Sequence, residues 1–256
     1  MNRSEPDVYG DPTSQGAMAL SYVVPAYNSA ATIDKTLDVL GRRLEGAGAE
    51  IVVVENGSRD DTPAILERIQ RHWPYESVSL VLLRSDKGLG VAYRTGIAAS
   101  RGARVVLTAD DLPFGFDDLD ASADVDPEKH PVVIGSKGHR DSQVDRGRLR
   151  QMLTRGFWLL RRVILGMRTL DPQGTFILAG DWARRVTGQL TEPGYLVTTE
   201  LCYLAERNGH RPVEVPVRLA PSHTEHGSRI TVQDVWQMGV GLVGIRRRHG
   251  RTTLLG

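Results

Sequence analysis

The stretch Val105–Gly115, with the sequence VVLTADDLPFG, joins an apolar run to two adjacent acids and then to a turn. Its first half is rich in the β-branched and aliphatic residues that are typical of a buried strand. Asp110 and Asp111 follow, and Pro113 and Gly115 favour a turn directly behind them. Two interpretations are open. The acids are turn residues, or they bind a metal or another cation at the carboxyl end of a strand.

The sequence before this stretch alternates between two kinds of segment. Apolar runs predict strands at LSYVV, EIVVVENGS, VSLVLLR and ARVVLTADD, and helical spacing predicts helices at TIDKTLDVLGRRL, DTPAILERIQ and GLGVAYRTGIAAS. Strands and helices that take turns indicate an α/β fold with a mostly parallel sheet flanked by helices. Ligands of such sheets bind beyond the carboxyl ends of the strands. Polar, charged and glycine residues gather at all four predicted ends, at 25–28, 55–58, 84–90 and 110–114, which favours a site over ordinary loops.

The second half is less regular. It predicts a strand at PVVIGS, a long helix at RGRLRQMLTRGFWLLRRVILGMR, a turn into a strand at DPQGTFIL, a helix at YLVTTELCYLAERNG and a C-terminal helix at TVQDVWQMGVGLVGIRRRHG. The segment RPVEVPVRL contains Pro212 and Pro216, so we expect an edge strand there. Residues 1–18 are rich in Pro, Gly, Ser and Asp and predict a flexible tail.

Composition excludes several classes of protein. The net charge of +1 provides no global field for nucleic acid, and one cysteine excludes an internal disulfide framework and a cysteine-based zinc cluster. No uncharged apolar run approaches the length of a spanning helix, and the N-terminus lacks the apolar region of a signal peptide. We therefore expect a cytoplasmic protein.

Four stretches resemble family-2 glycosyltransferases of the GT-A fold in their order and spacing: VVPAYNSAATI, IVVVENGSRDDT, KGLGVAYRTGI and VVLTADDLPF. The second half is similar to the polyprenyl-phosphate glucose and mannose synthases in its VIGSK stretch, its basic helix, its DPQGTF turn and its TELCYLAERNGHRPVEVPV segment. The resemblance implies a GT-A domain over 19–250, with a nucleotide-sugar half at 19–115 and an acceptor half at 116–250. It implies an inverting transfer of a hexose, with UDP-glucose as the expected donor and a polyprenyl-phosphate-like molecule as the expected acceptor.

The resemblance assigns donor contacts to the ends of the first four strands. The implied residues are Pro25, Tyr27, Asn28, Glu55, Asn56, Lys87, Gly88, Asp110 and Asp111. Asp111 matches the metal-binding acid of the family, which implies Mg²⁺ or Mn²⁺ on the donor diphosphate. For Glu55 and Asn56 an ordinary Asn-Gly turn explains the residues equally well. Gly88 and Gly90 would allow a loop to approach the donor closely.

The acid motif departs from the family, which usually has Asp-x-Asp where this chain has Ala109, Asp110 and Asp111. Adjacent side chains of a strand point to opposite faces. Asp110 therefore cannot replace the missing acid unless the chain has already turned at that point.

Basic residues in the second half of the chain are the candidates for binding the acceptor. Between Arg146 and Arg168 there are seven arginines and no acid, and the same helix has a large apolar component. This combination indicates either a helix with a solvated face or a helix that lies at a membrane surface. In the second case we expect the inner face of the membrane. By resemblance Lys137 and Arg150 bind the acceptor phosphate, with Ser228 and Arg229 closing from the C-terminal side. Glu200 is either a catalytic group near the acceptor or an acid on the helix surface.

The alternatives concern the acceptor and the activity. A glycosyltransferase with a soluble acceptor, in natural-product or envelope glycan synthesis, fits the same donor half. An impaired module that only binds a nucleotide sugar would explain Ala109 and Thr198, which both replace acids that the family often has.

Overall fold

The computed structural model describes residues 18–137, 139, 142, 148–172, 174–218 and 232–250. The chain forms two compact units. Unit 1 combines the described parts of Met1–Leu112 and Phe176–Gly194, and unit 2 combines those of Pro113–Thr175 and Tyr195–Gly256. The elements number eight helices and seven strands within these ranges.

Unit 1 contains β1 (Met18–Ala26), α1 (Ile33–Leu44), β2 (Ala49–Glu55), α2 (Thr62–Arg71), β3 (Val78–Arg84), α3 (Leu89–Ala99), β4 (Gly102–Leu107), all but the first residue of β6 (Thr175–Ala179), and α6 (Gly180–Thr187). Its strands lie in the order β3-β2-β1-β4-β6. The first four are parallel, in registers such as Tyr22 with Ile51, and β6 runs antiparallel to β4. The carboxyl ends of β1 to β4 therefore share one edge.

The centre of this sheet is apolar on both faces. Val23 and Val24 of β1 and Val52 and Val53 of β2 are fully buried, although neighbouring side chains point to opposite faces. Helix α3 packs on β1 and β2, and α6 packs on β4. Such strands read as continuous apolar runs, and this is why the sequence predicted them.

Unit 2 contains α4 (Asp117–Ala121), β5 (Val132–Ser136), α5 (Arg148–Leu165), α7 (Val197–Arg207), β7 (Val213–Pro216) and α8 (Val232–His249). Strands β5 and β7 pair in parallel, and α4 packs on both. Helix α5 packs against α8. Among the described strands β7 has a neighbour on one side only, as its two prolines predicted.

Three features differ from the sequence-based expectation. Strand β1 continues through Pro25 to Ala26, because its pairing with β4 ends at Val23 and an imino acid beyond that point interrupts no ladder on that side. Strand β4 ends at Leu107 and does not include the acids. The short helices α4 and α6 were not predicted.

Candidate active site

The ends of β1 and β2 are tied together by side chains. The backbone N–H of Ser58 donates to Glu55 Oε1 at 2.6 Å, and the N–H of Asn28 donates to Ser58 Oγ at 3.0 Å. Asn28 has a φ of 53° and accepts a hydrogen bond from the N–H of Arg59 at 2.8 Å. Asparagine tolerates this left-handed conformation because its short side-chain amide can form hydrogen bonds with nearby backbone groups. Asn28 and Glu55 thus shape the edge on which a ligand would lie, and Pro25 lies beside them as the second-last residue of β1.

Asn56 has a buried oxygen without a partner. Its side chain is 4% exposed, and its Oδ1 accepts no hydrogen bond from the described residues. Its backbone N–H donates to Ala26 O at 3.1 Å, so the residue is fixed in place. A buried acceptor without a partner is uncommon and calls for an explanation. An N–H group of a ligand would satisfy it.

The side chains of Tyr27 and Lys87 contact each other at this edge of the sheet. Lys87 Nζ donates to the Tyr27 hydroxyl at 2.7 Å and lies 4.5 Å from the ring centroid. The hydrogen bond from Lys87 is the main reason why the pKa of Tyr27 is lowered. The structure thus brings together two residues that the sequence placed 60 positions apart.

The glycines after Lys87 contact backbone of the same unit. Gly88 has a φ of 139°, and a Cβ there or at Gly90 would overlap the carbonyl oxygen of Pro193 or Glu192. The Gly90 N–H donates to Pro193 O at 2.9 Å. These glycines are therefore required by the segment that follows α6, and an approach of this loop to a donor stays a prediction.

Asp110 and Asp111 lie in the turn after β4, where both are half-buried. The Thr36 hydroxyl donates to Asp110 O at 2.6 Å, and Thr32 Oγ1 lies 3.5 Å from Asp110 Oδ2. Burial raises the pKa of Asp110, and the charge of Asp111 adds to this, while hydrogen bonds from Ser29 and Thr32 lower it. The chain has turned before the acids, so the strand alternation that would separate their side chains does not apply.

The two acids fit the donor set of a nucleotide-bound cation. Mg²⁺ is usually bound through one or two carboxylates together with substrate phosphates and water. Among the described residues, no group of three or more acid, His or Cys side chains is arranged so that it could hold a metal ion by itself. Asp111 and Asp110 match the smaller set in number and type.

Unit 2 contains the residues predicted for the acceptor. Lys137 follows β5, and its Nζ lies 5.0 Å from the Phe114 ring centroid. The side chain of Arg150 lies outside the described residues, as do Ser228 and Arg229.

Glu200 is fully buried, so the expectation of an acid on the helix surface is wrong. Its Oε1 lies 2.7 Å from Nε2 of His249, and Arg248 Nη2 lies 4.0 Å from the same oxygen. The sequence does not indicate His249 as the partner of Glu200, because no local pattern connects two residues 49 positions apart. The catalytic role of Glu200 stays a prediction.

Helix α5 is less uniform than its sequence suggested. Arg161 is 2% exposed and donates to the carbonyl oxygens of Thr169 and Leu170, so it belongs neither to a solvated face nor to a membrane surface. Leu165 is buried, whereas Leu159 and Val163 are 55% and 71% exposed. None of the described helices is long and apolar enough to cross a bilayer.

Comparison with known proteins identifies the family. The model of glycosyl transferase family 2 matches residues 21–187. The dolichyl-phosphate beta-glucosyltransferase of Mus musculus is 28% identical over 95% of this chain and 78% of its own length. The protein of that name from Drosophila melanogaster is 29% identical over 91% of this chain and 76% of its own length.

Solved structures of glucosyl-3-phosphoglycerate synthase from Mycobacterium tuberculosis are similar in fold. The complex with Mn²⁺, UDP and glucosyl-3-phosphoglycerate has a TM-score of 0.61 and 22% identity, and the likeness covers 92% of this chain and 81% of that one. The complex with Mn²⁺, UDP-glucose and phosphoglyceric acid has a TM-score of 0.60 and 20% identity, with the same coverage. The predicted GT-A fold is thereby confirmed. Because the family model matches residues 21–187, the chain belongs to glycosyl transferase family 2 and is a glycosyltransferase.

Proposed function

We propose that this enzyme transfers glucose from UDP-glucose to a polyprenyl phosphate with inversion at the anomeric carbon. An acceptor phosphate oxygen attacks that carbon, the bond to the UDP oxygen breaks, and UDP leaves. The names of the relatives support the acceptor class, because dolichyl phosphate is a polyprenyl phosphate. Solved neighbours in complex with UDP-glucose support the donor.

The observation that carries the donor assignment is the unpartnered oxygen of Asn56 at the shared edge of β1 to β4. An amide oxygen there would accept the imino N–H of uracil. Tyr27 and Lys87 lie at the same edge and offer a ring face and a cation to an anionic nucleotide. These contacts would hold the leaving group while the sugar stays open to attack.

Asp111, with Asp110 beside it, would hold a divalent cation on the donor diphosphate. When bound, Mg²⁺ or Mn²⁺ stabilises the negative charge that develops on the departing diphosphate. Asp110 is already fixed by Thr36 through its backbone oxygen, so the turn that presents Asp111 is formed in advance.

The acceptor phosphate needs little help from a base, because it is ionised near neutral pH. Fixed positive charge is the more useful contribution, since it orients the nucleophilic oxygen and offsets its repulsion from the donor diphosphate. Lys137, Arg150 and Arg229 are the residues that we propose for this task. Glu200 then has no proton to abstract, and its bond to His249 becomes its principal role.

A peripheral membrane contact would supply the lipid acceptor. Six of the seven large apolar side chains that are exposed in the described part of the chain belong to unit 2. Leu159 and Val163 are neighbours on α5, and Val240 and Val243 are neighbours on α8, whose last turn contains Arg246 and Arg247. Exposed apolar residues beside arginines suit the surface of an anionic bilayer.

The test is a binding and transfer experiment with the wild-type protein. UDP, GDP and their glucose and mannose conjugates are titrated by calorimetry with and without Mn²⁺. Transfer is then measured to a panel of polyprenyl phosphates and to phosphoglyceric acid. We expect metal-dependent binding of UDP-glucose and a glucosylated lipid phosphate. Transfer only to the water-soluble acceptor would replace the lipid assignment, and binding without any transfer would identify an impaired module.

A further inference from the structure

The segment Arg168–Asp171, between α5 and β6, is held by charged side chains of three elements of unit 2. Glu206 of α7 accepts hydrogen bonds from the N–H groups of Arg168 and Thr169 and from the Thr169 hydroxyl, at 2.6–3.0 Å. Arg161 of α5 donates to Thr169 O at 3.2 Å and to Leu170 O at 2.8 Å. The backbone of this segment is therefore fixed from two sides.

Glu214 of β7 also holds this segment, and its carboxylate bonds a second part of the chain at the same time. Its Oε1 accepts from the N–H of Leu170 at 2.7 Å, and its Oε2 accepts from the Ser136 hydroxyl at 2.6 Å. One carboxylate thus joins the segment before Asp171 to the end of β5. A second close approach lies three residues beyond this segment, since a Cβ at Gly174 would overlap the carbonyl oxygen of Gly135 in β5.

The bridge lies next to Lys137, which directly follows Ser136 and is our candidate for the acceptor phosphate. Asp171 follows Leu170 and is 9% exposed. The pairing of β5 with β7 runs from Val133 with Val213 to Ser136 with Pro216 and does not depend on the Glu214 side chain. The side chain is therefore more important for the geometry of the strand end than for the existence of the fold.

We propose that Glu214 is a positioning residue for the acceptor, because it fixes the end of β5 that carries Lys137 relative to the turn that begins at Asp171. The inference rests on the proposed function only in assigning the acceptor to Lys137. Small displacements of a group that orients a nucleophile lower reactivity strongly, whereas donor binding in unit 1 should not respond.

Three variants separate positioning from stability. Glu214→Ala removes both hydrogen bonds, and Ser136→Ala removes one of them. Glu214→Gln can keep both, because its amide oxygen accepts from Leu170 and its NH₂ group donates to the Ser136 oxygen. Asp126→Ala, which removes an exposed ion pair with Lys129 in the same unit, is the control.

We expect Glu214→Ala to lower kcat/KM for the acceptor by about tenfold or more, because a displaced Lys137 orients the nucleophilic oxygen less well. The KM for UDP-glucose should be unchanged, Glu214→Gln should resemble the wild type, and Ser136→Ala should lie between. Equal losses toward donor and acceptor, or no rescue by glutamine, would overturn the proposal.

The acceptor in this assay is the best one that the wild type accepts, so a failed lipid assignment does not affect the test of Glu214. Amide hydrogen exchange provides a readout that needs no acceptor. In Glu214→Ala exchange should rise both at 168–171 and at 134–137, with glutamine restoring both. Faster exchange at 168–171 alone would show that the carboxylate does not couple the two stretches.

Discussion

The carboxylate of Glu200, within α7, lies 2.7 Å from Nε2 of His249, the last residue of α8, and both side chains are buried. The pair therefore attaches the C-terminal end of α8 to α7. A carboxylate in this position has one oxygen committed to a structural hydrogen bond. A role in holding α8 and a role as a catalytic base predict different results for two substitutions.

We expect Glu200→Gln to fold like the wild type and to keep transfer within about tenfold, because glutamine still accepts a hydrogen bond from His249 and general-base catalysis supplies about 10²–10⁴-fold. Glu200→Ala should lower the free energy of unfolding by about 1–3 kcal/mol, since it leaves a buried imidazole unpaired. Thermal melting and initial rates measure both effects. A well-folded glutamine variant without transfer would instead establish Glu200 as the base.

Substitution of the two acids should have unequal effects on donor binding. Asp111→Asn should weaken Mn²⁺-dependent UDP binding by about 10- to 100-fold, the range for a lost contact to a charged group. Asp110→Asn should be milder, because burial already disfavours its charged form. Calorimetry with and without Mn²⁺ measures this. Metal-dependent affinity that is unchanged in Asp111→Asn would exclude Asp111 as a ligand.

The contact between Gly90 and the segment after α6 predicts a local packing defect. Gly90→Ala should lower the free energy of unfolding by about 1–3 kcal/mol, because its Cβ would overlap the carbonyl oxygen of Glu192. Gly188→Ala is the matched control, as a Cβ there meets nothing within 4 Å. Denaturant unfolding compares the two. An equal response of both variants would show that the segment yields without resistance.

Asp118 predicts a pH dependence of stability. It is 2% exposed, and its Oδ2 has no hydrogen-bond partner among the described residues. Burial raises the pKa of Asp118, although hydrogen bonds from Thr175 and from the Leu119 N–H lower it. The folded protein therefore keeps a proton that the unfolded chain releases, and stability falls as the pH rises from the ordinary pKa of about 3.9 through the folded-state pKa.

Asp118→Asn removes this loss and keeps an oxygen for the Leu119 N–H. We expect the variant and the wild type to melt at similar temperatures near the ordinary pKa of aspartate, and the variant to melt higher at neutral pH. Thermal melts over a pH series measure the difference. A difference in melting temperature that does not change with pH would mean that the carboxyl group is not the cause.

The exposed apolar residues predict binding to anionic vesicles. Val163→Asp should weaken binding to phosphatidylglycerol vesicles by about tenfold or more, since burial of a valine side chain is worth roughly 1.5–3 kcal/mol. Val39→Asp, at an exposed valine of unit 1, is the control and should have no effect. Sedimentation with vesicles measures binding, which salt should also weaken. Equal binding by Val163→Asp and the wild type would exclude this face of α5.

The sequence alone determined the fold class and the sheet edge at which the residues predicted for the donor lie. Strand and helix periodicities are local properties, so β1 to β4 and α1 to α3 could be predicted from their apolar spacing. The positions of Asn56, Lys87 and Asp111 followed from chain connectivity, because every strand of a parallel βα repeat ends at the same edge.

Tertiary structure decided what the sequence left open. The burial of Glu200 depends on His249, the requirement for glycine at position 90 depends on Glu192, and the burial of Arg161 depends on carbonyl oxygens beyond the end of its own helix. From sequence, a charged residue on a helix is predicted to be exposed, because its burial is stable only when a partner forms a hydrogen bond with it. Here that partner comes from another part of the chain and is brought close only by folding. Such partners leave no periodic signal in the chain.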